Sequence, residues 1–323
     1  MNRRDSILAI LAFGTLALPI RAQQARVFRI GALGIGGAAF TSVDGLRSGL
    51  HDLGLEEGKQ YLLHLRDANG NNKAIETEAK RLEAERVDLI FTVSTSVTLA
   101  AKRATNNVPI VFYAGSDPVK AGLVASYRQP GGRLTGIHSL TADLMAKRLQ
   151  ILKEMIPRLQ RVAVYYNPEN PASERSMITV RESIQRLKLA LVQRPVTSVE
   201  QLRTALGALR PIDADAILSV PDAMVSSQSD LMIRIAKEKK LPTMFQFSDA
   251  VAKGALASYG VSYFDLGRLS AKHVQRILAG AGPGDLPVEQ IDRFSFMINR
   301  KTAKELGITI PQSVLLRADK VFE

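Results

Sequence analysis

The chain has 323 residues, 46% of them hydrophobic and 23% charged, a formal net charge of +12 and no cysteine. That length exceeds a usual single core, so two domains are expected, and the balance of residues is that of an ordinary globular protein. Disulfides, thiolate nucleophiles and thiolate metal sites are excluded together. Removing residues 1–22, with their three arginines and one aspartate, leaves +10. The remaining basic residues are interleaved with acids along stretches such as Lys73–Arg86, Arg181–Lys188 and Arg234–Lys240, and only 6% of residues are aromatic. This is the pattern of solvated helix faces rather than of a nucleic-acid surface.

In chain order, Met1–Arg4 is basic, Ile7–Ile20 is an apolar segment broken only by Gly14, Thr15 and Pro19, and Ala22 stands where a signal peptidase would cut. Residues 1–22 therefore read as a secretory signal, too short to span a bilayer. Arg3–Arg4 leaves the twin-arginine route open beside the Sec route, and an uncleaved anchor is the alternative. The mature chain is expected outside the cytoplasm, in the periplasm. Val27–Leu33 is a predicted strand, followed by Gly34–Ile35–Gly36–Gly37 and a helix over Ser42–Leu53. Gly34, Gly36 and Ala39 match a dinucleotide fingerprint by letter. The acid that such a site needs would be Asp67, too far along the chain, so the glycines read as a tight turn into a helix.

A strand at Tyr61–Leu65 and a helix at Lys73–Glu85 lead to the stretch around which the chain is arranged, Val87–Val124. Val87–Val93 and Val108–Tyr113 are apolar throughout rather than alternating, with a helix over Val97–Thr105 between them. Such strands belong inside a parallel sheet covered on both faces. Ligands of these sheets gather at the carboxyl ends of the strands, where Ser94, Thr95, Ser96 and Ser116–Asp117 fall. After the strand Leu134–His138 the pattern restarts. Strands at Val162–Tyr166, Ala190–Pro195, Ala216–Val220 and Thr243–Phe245 alternate with helices over Thr141–Ile156, Ser173–Leu187, Val199–Leu209 and Ser226–Lys239. Two βα series imply an α/β protein of two doubly wound, Rossmann-like lobes with a hinge near Gly136–Ser139. The tail (strand Ala255–Tyr259, helix Asp265–Gly280, strand Phe294–Ile298, then a short helix from Asn299 ended by Gly307) is too small for a third domain. It is expected to return to the other two, giving lobe I as 27–137 plus 255–291, lobe II as 138–254 plus 292–323, and about three crossings of the hinge.

Catalytic and metal motifs are not evident. His51, His64, His138 and His273 are widely separated, and there is no Gly-x-Ser-x-Gly elbow or Walker motif. No cofactor, no metal and no enzymatic activity are expected. Aspartates recur beside strand ends at Asp117, Asp222 and Asp249; each could grip an ammonium group or cap the helix that follows it. With Ser94–Ser96 from one lobe and Asn167, Asn170, Asp222 and Asp249 from the other, these loops suggest a cleft. Hydroxyls and helix N-termini suit a carboxylate, and aspartates and asparagines suit an α-ammonium, so an amino-acid-like zwitterion satisfies both.

Several segments resemble the solute-binding proteins of ABC transporters, in the family whose better-known members bind tryptophan or tyrosine. They are Ser116–Val124 (SDPVKAGLV), QPGGRLTGI at 129–137, VAVYYNPENPAS at 162–173, GALASYGVSYFDLG at 254–267 and the closing IPQSV at 310–314. The resemblance covers nearly the whole mature chain. It implies a type I periplasmic-binding-protein fold with three crossovers, and a ligand site at Ser94–Ser96, Asp117, Asn167, Asn170 to Ser173, Pro221–Asp222 and Ser248–Asp249. It further implies a monomer that captures a small zwitterionic or carboxylate ligand, such as an aromatic amino acid, by domain closure and presents it to a membrane permease. Two departures alter the pocket walls: Gly34–Phe40 is glycine-rich where many members carry a histidine-proline element, and Ala223–Met224 replaces usual polar residues. Phe40, Tyr113 and Phe247 are candidate stacking surfaces or core residues. The rival readings are a ligand-binding partner of a sensory receptor kinase and an exported nucleotide-dependent enzyme using Gly34–Ala39.

Overall fold

The structure, a computed structural model, describes residues 26–323, so the expected signal segment lies outside the described residues. In the first lobe β1 (Phe28–Gly34), α1 (Thr41–Asp52), β2 (Tyr61–Asp67), α2 (Asn72–Ala84), β3 (Leu89–Val93), α3 (Thr95–Ala104), β4 (Ile110–Ala114) and β5 (Leu134–His138) follow one another. The second lobe continues with α4 (Met145–Met155), β6 (Arg161–Tyr166), α5 (Pro171–Arg186), β7 (Ala190–Pro195), α6 (Val199–Ala208) and β8 (Ala216–Ser219). It goes on through α7 (Ala223–Ser227), α8 (Ser229–Glu238), β9 (Thr243–Phe247), α9 (Asp249–Ala252) and β10 (Ala257–Val261). The chain then returns to the first lobe with α10 (Tyr263–Leu278) and β11 (Glu289–Gln290). It ends in the second with β12 (Ser295–Asn299), α11 (Arg300–Glu305), α12 (Gln312–Leu315) and β13 (Lys320–Phe322).

The first sheet runs β11-β5-β4-β3-β1-β2, all parallel, and the second β13-β12-β10-β9-β8-β6-β7, with β12 antiparallel to β10. The fully apolar runs are the fully buried strands: every residue of β3, β4 and β9 is buried. The chain passes between sheets three times, after β5, after β10 and after β11, which is the expected crossover count. One boundary differs. The strand expected at Ala255–Tyr259 runs Ala257–Val261 and pairs with β9 and β12 in the second sheet, so the second crossing comes at Ser262 rather than before residue 255. An apolar pentapeptide announces a strand but not its neighbour; here the antiparallel partner β12 holds it in lobe II.

The helix expected over Ser226–Lys239 is α8, preceded by a separate short helix, α7. Asp222 caps α7 through its Oδ1, which accepts from Val225 N at 2.8 Å, and the chain breaks at Gln228 (φ −102°, ψ 20°) before α8 begins. This break turns the short α7 toward the other lobe. α10 is fixed to the first lobe by close approach to α1: a Cβ on Gly45 would overlap the Phe264 carbonyl, and one on Gly267 would overlap the Ser42 carbonyl. Both obstacles are backbone, which cannot swing away. Gly267→Ala is therefore expected to destabilise the first lobe by about 3 kcal/mol, the upper range for overpacking. A denaturant titration in which Gly267→Ala matches the native midpoint would contradict this packing.

Candidate functional site

The carboxyl ends of both sheets face each other across the hinge. Register decides which loops meet. Val93 is opposite Tyr113, so the turn at Ser94 lies beside the Gly115–Ser116 turn; Tyr165 is opposite Ser219, so the 167–171 loop lies beside Pro221–Asp222. Between them is an inner cavity of about 50 Å³. Ser94, Thr95, Ser96 and Tyr113 wall it from the first lobe, Asn170, Asp222, Ser226 and Gln246 from the second, and Thr141 and Tyr263 from the hinge. It opens into an outer groove of about 670 Å³ along Leu99, Arg103, Asp117, Asn167 and Arg175, with Ser96 and Asn170 shared by both. The inner cavity is smaller than the roughly 300–1,000 Å³ of ordinary small-molecule sites, so it suits a ligand's polar head, with the outer groove taking the remainder.

On the first-lobe wall Ser94 has φ 94°, a strained conformation for a residue with a Cβ. The strain is held from three sides: Ser94 N donates to Tyr113 O (2.9 Å), Ser94 Oγ accepts from Val97 N (3.3 Å), and Ser94 O accepts from Thr98 Oγ1 (2.7 Å). The result points the first turn of α3 and the Ser94 and Ser96 hydroxyls (3.2 Å apart) at the cavity. The first amides of a helix lack intrahelical acceptors, and the helix dipole makes this end attractive to a carboxylate.

On the second-lobe wall Asp222 is 3% exposed. Its Oδ2 accepts from Asn170 Nδ2 at 2.8 Å while Oδ1 caps α7. Burial pushes its carboxyl pKa up, only partly offset by the bonds from Val225 and Asn170. A buried carboxylate with two neutral donors and, among the described residues, no cation is poised for an ammonium.

Of the expected site residues, Ser94, Thr95, Ser96, Asn170, Pro221 and Asp222 are brought together at the cavity. Asp117 and Asn167 border only the outer groove, and both are engaged in their own turns. Asp117 Oδ1 accepts from Val119 N and Lys120 N (3.0 and 3.1 Å), and Asn167 Oδ1 from Glu169 N (2.9 Å). Although burial raises the Asp117 pKa, bonds from the Lys120 and Val119 amides and the Tyr127 hydroxyl bring it below the ordinary value. Ser173 is sealed behind Asp222, its hydroxyl making no well-formed bond. Ser248 and Asp249 are displaced from the cavity: Asp249 Oδ2 accepts from Tyr263 N (3.3 Å), fastening the start of α10. Phe247 lies in the core, stacked on Tyr263 at 5.2 Å, and Phe40 packs where a Gly34 Cβ would be. Tyr113 alone of the three candidate aromatics lines the cavity. Thr141, Ser226, Gln246 and Tyr263 were not anticipated. Asp67 does end β2 beside Gly36, but Gly37 abuts Ser227 of the other lobe, which fills the place a pyrophosphate would need.

These two walls, one rich in hydroxyls at a helix start and one carrying a buried acid, make up the cleft. The profile of the family described as ABC transporter substrate binding protein matches residues 35–322. The chain belongs to that family. It is a solute-binding protein and not an enzyme. A tyrosine-binding protein of Clostridioides difficile is 28% identical over 267 residues, 82% of this chain and 76% of that one. Among solved structures, a Streptococcus pneumoniae ABC domain in complex with L-Trp matches with TM-score 0.80 at 25% identity, covering 92% of this chain and 100% of the other. A ligand-free, open substrate-binding protein with adhesive properties from Clostridium difficile, 26% identical and covering 92% and 99%, gives only 0.58. This substrate-binding protein is in the closed arrangement, as its interlobe contacts require: one apolar cluster runs from Leu33 and Ile35 to Val225 and Phe245.

Proposed function

We propose that the protein is the periplasmic binding component of an ABC importer for an amino-acid-like zwitterion, with an aromatic L-amino acid as the leading candidate. The observation that carries this reading is the pairing of Asp222 and Asn170 on one wall with Ser94–Ser96 on the other across a cavity shared by both lobes. The ammonium is taken by Asp222, the carboxylate by the α3 start, and the side chain extends past Leu99 and Ala172 into the outer groove. Contacts to both lobes favour the closed form, which is then offered to a membrane permease. The tyrosine-binding and L-Trp-bound relatives support the ligand class.

The test is a thermal-shift screen of residues 23–323 against the amino acids and small carboxylates. A ligand at a hundred times its Kd stabilises by about 2.7 kcal/mol, a shift of several degrees. L-tyrosine or L-tryptophan is expected to give it. A panel in which no amino acid moves the midpoint would defeat the reading.

A further inference from the structure

Behind the hinge wall of the inner cavity lies a cation the proposed recognition scheme does not use. Arg148, on the first turns of α4, is the largest fully buried side chain described, at 0% exposure. Its Nε donates to Tyr259 O (2.7 Å) and its Nη1 to Thr141 O (2.9 Å), with Met145 Sδ at 3.2 Å. Thr141 stands in the first interlobe connection and Tyr259 on the strand leading into the second, so the guanidinium ties two of the three connections together. Nη2 has no partner among the described residues and lies where a Gly260 Cβ would be only 3.3 Å away. No carboxylate among them pairs with Arg148. Arg66 and Arg161, both partly exposed, are paired with Glu85 and Asp215, and Arg133 is bonded to backbone carbonyls; Arg148 alone among the arginines the structure describes is fully buried. The titratable neighbours that Arg148 does have are the neutral phenols of Tyr113, Tyr259 and Tyr263, and two of these, with Thr141, form the cavity wall.

A buried cation with no counterion is costly, and the cost is relieved by negative charge nearby even without contact, because field lines between them cross little water. Arg148 itself is sealed from the cavity, so its influence passes through space and through the Thr141, Tyr113 and Tyr263 wall. We propose that Arg148 sets the charge preference of the closed cleft, favouring closure over a ligand with an anionic group and disfavouring the same ligand with that group neutralised. This rests on the zwitterion reading above and adds to it a positioning residue. Asp222 fixes the ammonium on the second-lobe wall, and Arg148 draws the carboxylate toward the hinge.

The probes are L-tyrosine and L-tryptophan with their carboxamides, titrated calorimetrically into the native mature chain and into Arg148→Met and Arg148→Lys. The native protein is expected to prefer each acid over its amide by about tenfold or more. Arg148→Met should lose the larger part of that preference, mainly by losing affinity for the acid and leaving only the share due to the α3 start, and Arg148→Lys should keep most of it. If Arg148→Met weakens acid and amide by the same factor, the residue is only structural and the proposal is overturned. A native protein that binds the acids without preferring them overturns it too, together with the carboxylate half of the zwitterion reading, whereas equal losses in Arg148→Met leave that reading standing. Binding of none of the four by the native chain brings down both. Should Arg148→Met fail to fold, Arg148→Gln is titrated in its place, and an acid-to-amide ratio there equal to the native one overturns the proposal.

Discussion

Asp222→Ala is expected to weaken ligand binding about thirtyfold or more, the consequence of removing a charge-assisted bond worth about 2 kcal/mol to a desolvated ammonium. Alanine also removes the α7 cap, at about 1 kcal/mol of stability, so Asp222→Asn is the cleaner partner. Asparagine keeps an oxygen for Val225 N but loses the charge and sets its amide nitrogen against Asn170 Nδ2, so its affinity loss reports the ion pair together with the Asn170 bond. The pH dependence has a definite sign. Burial raises the Asp222 pKa in the folded protein, so its contribution to stability is fully present below the ordinary aspartate value and is lost as pH rises through the raised value. A bound ammonium favours the ionised form, so affinity should climb as pH rises through that same window. Asp249 is also raised by burial but lies off the cavity and is retained in the variant. The difference between native and Asp222→Asn profiles therefore isolates Asp222. Calorimetry at several pH values giving parallel profiles would remove Asp222 from the site.

Ser94–Ser96, Asn170 and Asp222 were legible because their position follows from local pattern: each ends an apolar, β-branched run, and the carboxyl edge of a parallel sheet is where such ends collect. The same rule overreached at Asp117 and Asn167, where a carboxylate or amide closes its own turn and the chemistry is spent locally. It overreached at Ser248–Asp249 for a different reason: β10 pairs beside β9, and the turn after β9 is used to anchor α10. Gln246 and Arg148 were out of reach, since a glutamine inside TMFQF and an arginine on an amphipathic helix are ordinary in sequence. Gln246 is buried within β9, and Arg148 is buried where α4 meets the Tyr259 and Thr141 carbonyls. Tyr263 was nearer to view. β10 ends at Val261 rather than Tyr259, which puts Tyr263 at the carboxyl edge of the sheet. Strand identity is a local property, but which sheet a strand joins, and where it stops, is decided by its partner.

Gly37→Ala is expected to weaken binding about tenfold to thirtyfold although Gly37 does not touch the proposed ligand position. In the closed arrangement a Cβ at Gly37 would stand 2.6 Å from Ser227 O and 2.7 Å from Ser227 Cα. Both atoms are backbone of α7, the helix that Asp222 caps, so the collision cannot be relieved by a rotamer change, and overpacking of this kind costs about 1–3 kcal/mol. The obstacle exists only when the lobes meet. It lowers the fraction of closed protein, and apparent affinity falls by that fraction. Gly37 also has φ 63°, so alanine brings backbone strain in the open and closed forms alike. Gly58→Ala is the control, since it carries the same kind of strain (φ 85°) with nothing within 4 Å of the added carbon. Strain alone predicts that both variants lose stability and neither loses affinity; interlobe collision predicts that only Gly37→Ala binds more weakly, with a larger radius of gyration by solution scattering at equal ligand concentration. Equal affinities for the two variants would mean that the lobes do not meet at Gly37 when the ligand is held. The glycine-rich first loop would then serve only its own turn, and closure would have to be secured elsewhere along the Leu33–Val225 contact.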